Sequence, residues 1–168
     1  MKPIHPIFVH FPIALLALSV AADVVAFFTN IESLRSAAWW SLTGAALGGV
    51  VTVLAGVFDM RRAEINEEIH ERVHRHMKVG FALLAAIVGL TVWRWTFFAQ
   101  PALPVSGIYL DCAILAMALA GFQGWLGGEL VYSYGVSVNR APLAAGSKAK
   151  RVPKGVARAS GKKGSHVH

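Results

Sequence analysis

Apolar positions in this chain run together in four blocks, 7–28, 37–58, 77–93 and 107–126, with short polar stretches between them. Each block has about the ~20 residues that an α-helix needs to cross the hydrocarbon core of a bilayer. Lipid offers no partner to backbone N–H and C=O groups, so a crossing segment must pair them internally. A helix does this, and none of the blocks shows the apolar/polar alternation of a membrane β-barrel strand. The pattern predicts an all-α polytopic membrane protein, a bundle of four transmembrane helices within residues 1–138. The first block is read as a retained span and not a cleaved signal peptide. The residues before it carry only Lys2, the apolar run continues past Asp23, and Pro12 suits a first helical turn.

The one long polar connection, 59–76, carries Ile65, Ile69 and Val73 every four residues between charged neighbours. That spacing predicts an amphipathic helix running into span three as a cytoplasmic extension. On it Glu68 and Arg72 form an attractive pair at spacing four, whereas Glu67 and Glu71 repel. Residues 139–168 are rich in Lys, Arg, Gly, Ser and Ala with little to bury, which predicts a disordered basic tail lying along anionic phospholipid headgroups.

Composition narrows the class. Of 168 residues 55% are hydrophobic and 15% charged, and mean hydropathy is +0.54, which excludes disorder, a disulfide scaffold and an ordinary soluble enzyme. Cys112 has no intrachain partner, so no disulfide is expected. The formal charge of +7 does not point to nucleic acid, because the basic residues flank apolar blocks or fill the tail. Lys2, five residues of the 59–78 connection and eight of the tail fall on one side, Arg35 and Arg94 on the other. The positive-inside rule then puts both termini in the cytoplasm and the protein in a bacterial inner membrane.

Candidate chemistry collects at that cytoplasmic mouth. Spans one and three both start there, which gathers His5, His10, His70, His74 and His76 from two distant stretches. His76 continues the stripe of Ile69 and Val73 and is read as inward; His70 and His74 lie about 100° round and point to solvent or headgroups. His10 and His76, on different helices at similar depth, suit the axial pair of a b-type haem. They equally suit a divalent metal with Asp59 or Glu129, a proton relay, or interfacial histidines that merely cap helix ends. Covalent haem attachment is excluded, as no C-x-x-C-H motif is present. Asp59 is placed to orient an imidazole by accepting its non-ligating N–H. Asp23, thirteen residues past His10 and so about 20 Å further across, must face the bundle and find a donor, with Thr43 or a neighbour of Arg35 as candidates.

Gly44, Ala45, Gly48 and Gly49 of span two, and Gly121, Gly124 and Gly128 of span four, form small faces that permit close helix packing. Gly124 and Gly128, at the histidine end, are alternatively room for a flat macrocycle. Trp39, Trp40, Trp93, Trp95 and Trp125 lie near span ends, as an interfacial belt would. Asp111 is expected to be wet.

The opening run His5-Pro-Ile-Phe-Val-His10-Phe-Pro with Asp23, the Gly56-Val-Phe-Asp59 that ends span two, His76, and Gly124-Trp-Leu-Gly-Gly-Glu129-Leu-Val-Tyr132 followed by Gly135-Val resemble a known family. It is the bacterial four-helix membrane family catalogued as domain of unknown function 2231, over about residues 3–138. The resemblance implies an inner-membrane protein without an assigned activity. Some relatives appear beside redox modules such as Rieske-type iron–sulfur domains, which favours a redox role. Family-like positions are His5, His10, Asp23, Asp59, His76, Gly124, Gly127, Gly128 and Glu129. The leading expectation is an electron carrier binding haem b through His10 and His76, with Asp59 or Glu129 behind them and a redox partner in the membrane. The competing one is a non-enzymatic accessory protein that packs against a membrane partner; a metal or proton transporter is a weaker third.

Overall fold

The computed structural model describes residues 5–62, 67–97 and 103–133, with the backbone alone for residues 62 and 67–69. Every regular element among them is helical. A single turn, α1 (His5–Phe8), leads into α2 (His10–Thr29); α3 (Glu32–Arg62), α4 (Glu67–Phe97) and α5 (Gly107–Tyr132) follow. Four stretches are long and apolar enough to cross a membrane: His5–Thr29, Glu32–Arg61, His70–Phe97 and Gly107–Tyr132. These are the four expected spans, each extended at one or both ends. Once an apolar core of about 20 residues is helical, adding flanking residues gains one hydrogen bond apiece, so helices outrun their apolar blocks.

The turns explain the antiparallel order. Asn30 closes α2 in the left-handed region, φ 61°, with its N–H on the carbonyl of Ala26. An asparagine tolerates that conformation and stops the helix, and only Ile31 separates it from α3. Ser106 starts α5 as an N-cap whose hydroxyl accepts from the Tyr109 N–H at 3.2 Å. Hydroxyls inside the spans are satisfied locally: Thr43, Thr52 and Thr91 donate to carbonyls four residues back. Ser19 instead donates across to the Ala38 carbonyl at 2.8 Å and ties α2 to α3.

The middle of the bundle is apolar and closely packed, with Leu16, Ala45, Ala46, Leu83, Ile87 and Ala116 buried in one cluster. The small face of α3 meets α2 as expected. A Cβ at Gly48 would stand 3.3 Å from the Phe11 ring and 3.6 Å from Pro12. The corresponding face of α5 behaves otherwise, since a Cβ on Gly121 or Gly124 would meet nothing within 4 Å and both residues are exposed. Trp40, Trp95 and Trp125 are exposed, but Trp39 is 2% exposed and belongs to the core. α4 is one continuous helix through the polar connection, with Val73 buried. Ile65 and the tail 139–168 lie outside the described residues, as do the side chains of Ile69 and Glu68. Arg72, expected to pair with Glu68, reaches Glu129 of α5 at 2.8 Å.

Candidate functional site

All five helices contribute to the two ends of this bundle. At one end lie the starts of α1, α2 and α4 and the finishes of α3 and α5. His5 is held there twice. Its backbone N–H donates to Asp59 Oδ2 at 2.7 Å, and its ring Nδ1 stands 3.0 Å from the Thr52 carbonyl. A carbonyl only accepts, so Nδ1 donates to it, and in the tautomer with a single N–H the lone pair is on Nε2. This is the tautomer in which a histidine ligates through Nε2. The Asp59 side chain therefore acts on His5 through the backbone, and the Thr52 carbonyl does for the ring what the sequence assigned to a carboxylate.

His76 faces His5 from α4. The two ring centroids are 6.2 Å apart with the planes at 89°. Gln123 of α5 approaches His76, Nε2 to Nε2, at 3.2 Å, and His76 Nδ1 and Gln123 Oε1 are buried without a partner. If the carboxamide is turned over, Oε1 accepts from the ring Nε2–H and the lone pair falls on the unpartnered Nδ1. Both rings lie over glycines, where a side chain would crowd them. A Cβ at Gly56 would lie 3.1 Å from His5 Nδ1, and one at Gly127 3.2 Å from His76 Cε1.

The pair assembled here is thus His5 with His76. His10 is exposed on α2, because the α1 turn carries His5, and not His10, against the finish of α3. A Cβ at Gly127 would crowd the His76 imidazole, one at Gly124 would meet nothing within 4 Å, and one at Gly128 would meet Tyr132 at 4.0 Å. Glu129 is engaged by Arg72. His70 is exposed and His74 half-buried, on the side of α4 away from His76 as the helical period requires. Among the described residues no three or more His, Cys, Asp or Glu side chains converge as a metal would need. The sequence reading overlooked Gln123, although a lone carboxamide in the fourth apolar block was a visible signal. It had no signal for the Thr52 carbonyl, which any residue type supplies.

The opposite end holds a different construction. Asp23 is buried, as its position in an apolar span demands, but its donor is Arg94 of α4, and each is 1% exposed. Arg94 also donates to the Arg35 carbonyl at 3.1 Å and lies 5.8 Å above the Trp39 ring and 5.6 Å from that of Tyr109. A small cavity of about 100 Å³, lined by Asp23, Asn30, Arg35 and Pro104 among others, adjoins the pair. The apolar centre of the bundle separates the two ends.

A family model described as "Predicted membrane protein (DUF2231)" matches residues 1–140. The chain belongs to this family. It is accordingly a membrane protein, with four apolar helices of spanning length. Comparison with curated proteins and with solved structures gave no match.

Proposed function

We propose that this member of the DUF2231 family is a b-type haem carrier in which His5 and His76 hold the iron. The observation that carries the reading is a half-buried site in which, among the described residues, two imidazoles face each other, one with its Nδ1 on a carbonyl and one with a buried, unpartnered ring nitrogen. A bare divalent cation in a closed site asks for three or four protein ligands, whereas haem brings four of its own and asks for two. His5 and His76, with ring centroids 6.2 Å apart, would be the residues to hold the iron. Bound haem would supply one-electron chemistry. Thr52 and Gln123 would orient the two rings, and the apolar centre would confine the site to one side of the membrane.

Protein purified from haem-replete membranes is expected to show stoichiometric Soret absorbance. His5→Ala or His76→Ala removes it, and His10→Ala keeps it. Stoichiometric metal without a Soret band, or a colourless folded protein, overturns the haem reading. Dependence on His10 in place of His5 would restore the pairing read from the sequence.

We further infer that the histidine end faces the cytoplasm of a bacterial cell, with both termini there and the basic tail on anionic lipid. The support is the excess of basic residues flanking that end. In a Cys112→Ala background, Leu103→Cys is labelled by an impermeant maleimide in whole cells, and Asn66→Cys only after the membrane is opened. The opposite pattern inverts the topology.

A further inference from the structure

The first turns of α4 contain a pattern that the haem reading does not use. Residues 70–74 read His-Glu-Arg-Val-His, two histidines at spacing four with a glutamate directly after the first. On a helix that spacing stacks both imidazoles on one face, the arrangement by which H-E-x-x-H sequences hold zinc. The motif is short and arises by chance, so spacing alone carries little. Geometry adds the independent observation. The two Nε2 atoms stand 3.2 Å apart with ring centroids at 4.3 Å. Two nitrogens bound to one zinc at about 2.0–2.1 Å in a tetrahedral arrangement are separated by roughly 3.3 Å. Both nitrogens are already close to chelating separation, and rotation of the two rings would aim both lone pairs at one ion.

We propose that His70 and His74 form a solvent-accessible site for a divalent transition metal, of the imidazole-preferring kind such as zinc or copper. The site is separate from the His5–His76 pair and stands whether or not that pair binds haem. In the metal-free state one ring donates its Nε2–H to the other. On binding, that ring takes a proton at Nδ1 from solvent and gives up the one on Nε2. No proton is gained or lost, and both Nε2 lone pairs then meet the ion.

Two features separate this site from the His5–His76 pair. It lies outside the apolar block of span three, beside Glu71, Arg72 and Arg75, so water can complete the coordination sphere that the chain leaves open. Arg72, between the histidines in sequence, pairs with Glu129 of α5 at 2.8 Å. Catalytic zinc sites of the H-E-x-x-H type use a third protein ligand, and among the described residues none joins this pair. Metal uptake, and not hydrolysis, is therefore the chemistry assigned.

The test is zinc titration of the full-length protein in detergent against a competing indicator, in a His166→Ala/His168→Ala background that removes the tail imidazoles. One zinc per chain is expected. His70→Ala and His74→Ala should each weaken it about a hundredfold, the usual scale for losing one arm of a two-point attachment. His5→Ala and His76→Ala should leave it unchanged. Copper in place of zinc should give an electron paramagnetic resonance spectrum with two nitrogen ligands, reduced to one by either substitution. Neither ring is in the core, so circular dichroism should be unaltered in both variants. Absence of stoichiometric zinc in the parent, or unchanged affinity in both single variants, overturns the site. So does loss of the zinc on His76→Ala, which would assign it to the His5–His76 pair.

Discussion

Arg94→Met is expected to destabilise the folded protein by about 3–5 kcal/mol, the cost of leaving one charge of a buried pair without its partner. Asp23 is 1% exposed, and its Oδ2 accepts from Arg94. Its other oxygen already lacks a partner, so removing the guanidinium would leave a carboxylate that is 1% exposed without the cation that pairs with it. Asp23→Ala should be comparably harmful, since Arg94 would then hold a buried charge against the Arg35 carbonyl and two aromatic faces alone. The double replacement Asp23→Leu/Arg94→Met removes both charges and should recover most of the loss. Thermal unfolding in detergent measures all three. Equal, additive losses would show that the pair contributes nothing as a pair. Because the apolar centre separates this end from the histidines, the double variant should retain whatever spectrum the parent has.

Gly127→Val should empty the His5–His76 site while the bundle stays folded. A Cβ at Gly127 would lie 3.2 Å from His76 Cε1, and valine adds two methyl groups beyond it. The ring has little space to retreat, because Gln123 stands against its Nε2 and is itself hemmed in: a Cβ at Gly80 would come within 2.9 Å of the carboxamide. Displacing a ligand or the group that orients it costs about 10–100-fold in metal affinity, and overpacking about 1–3 kcal/mol in stability. Gly56→Val should act in the same way through His5, whose Nδ1 lies 3.1 Å from the corresponding Cβ. Gly124→Val is the control. Its Cβ meets nothing within 4 Å, so bound haem per chain should be unchanged. If instead Gly124→Val emptied the site and Gly127→Val did not, the macrocycle would lie on the outer face of α5, as the sequence reading allowed.

Both predictions concern residues whose importance was legible and whose partners were not. Asp23 stood out because a carboxylate is expensive in lipid and must find a donor. Arg94 passed for a flanking charge, since it lies one residue past the third apolar block and nothing local marks it as inward. Likewise His76 was read as inward from its helical stripe, but its partner depended on how the chain enters span one. His5 and His10 are five residues apart, and the separate α1 turn before α2 decides which of them meets α3.

What the sequence by itself determined is the class of structure. Four apolar blocks of spanning length, with no water to pair their backbones, leave helices as the solution, and short connections make neighbouring helices antiparallel. That placed the histidines and the Asp23 region at opposite ends before any contact was known. Tertiary structure alone decided the pairings: His5 with His76, Gln123 behind it, Arg94 on Asp23, and His70 Nε2 at 3.2 Å from His74 Nε2. Hydropathy constrains depth and face, to which one helical period gives a resolution of about 100° per residue. It carries no information on which residues of different helices meet at the same depth. That is set by helix rotation, close approach at glycines and the geometry of one short turn, which are properties of the packed bundle.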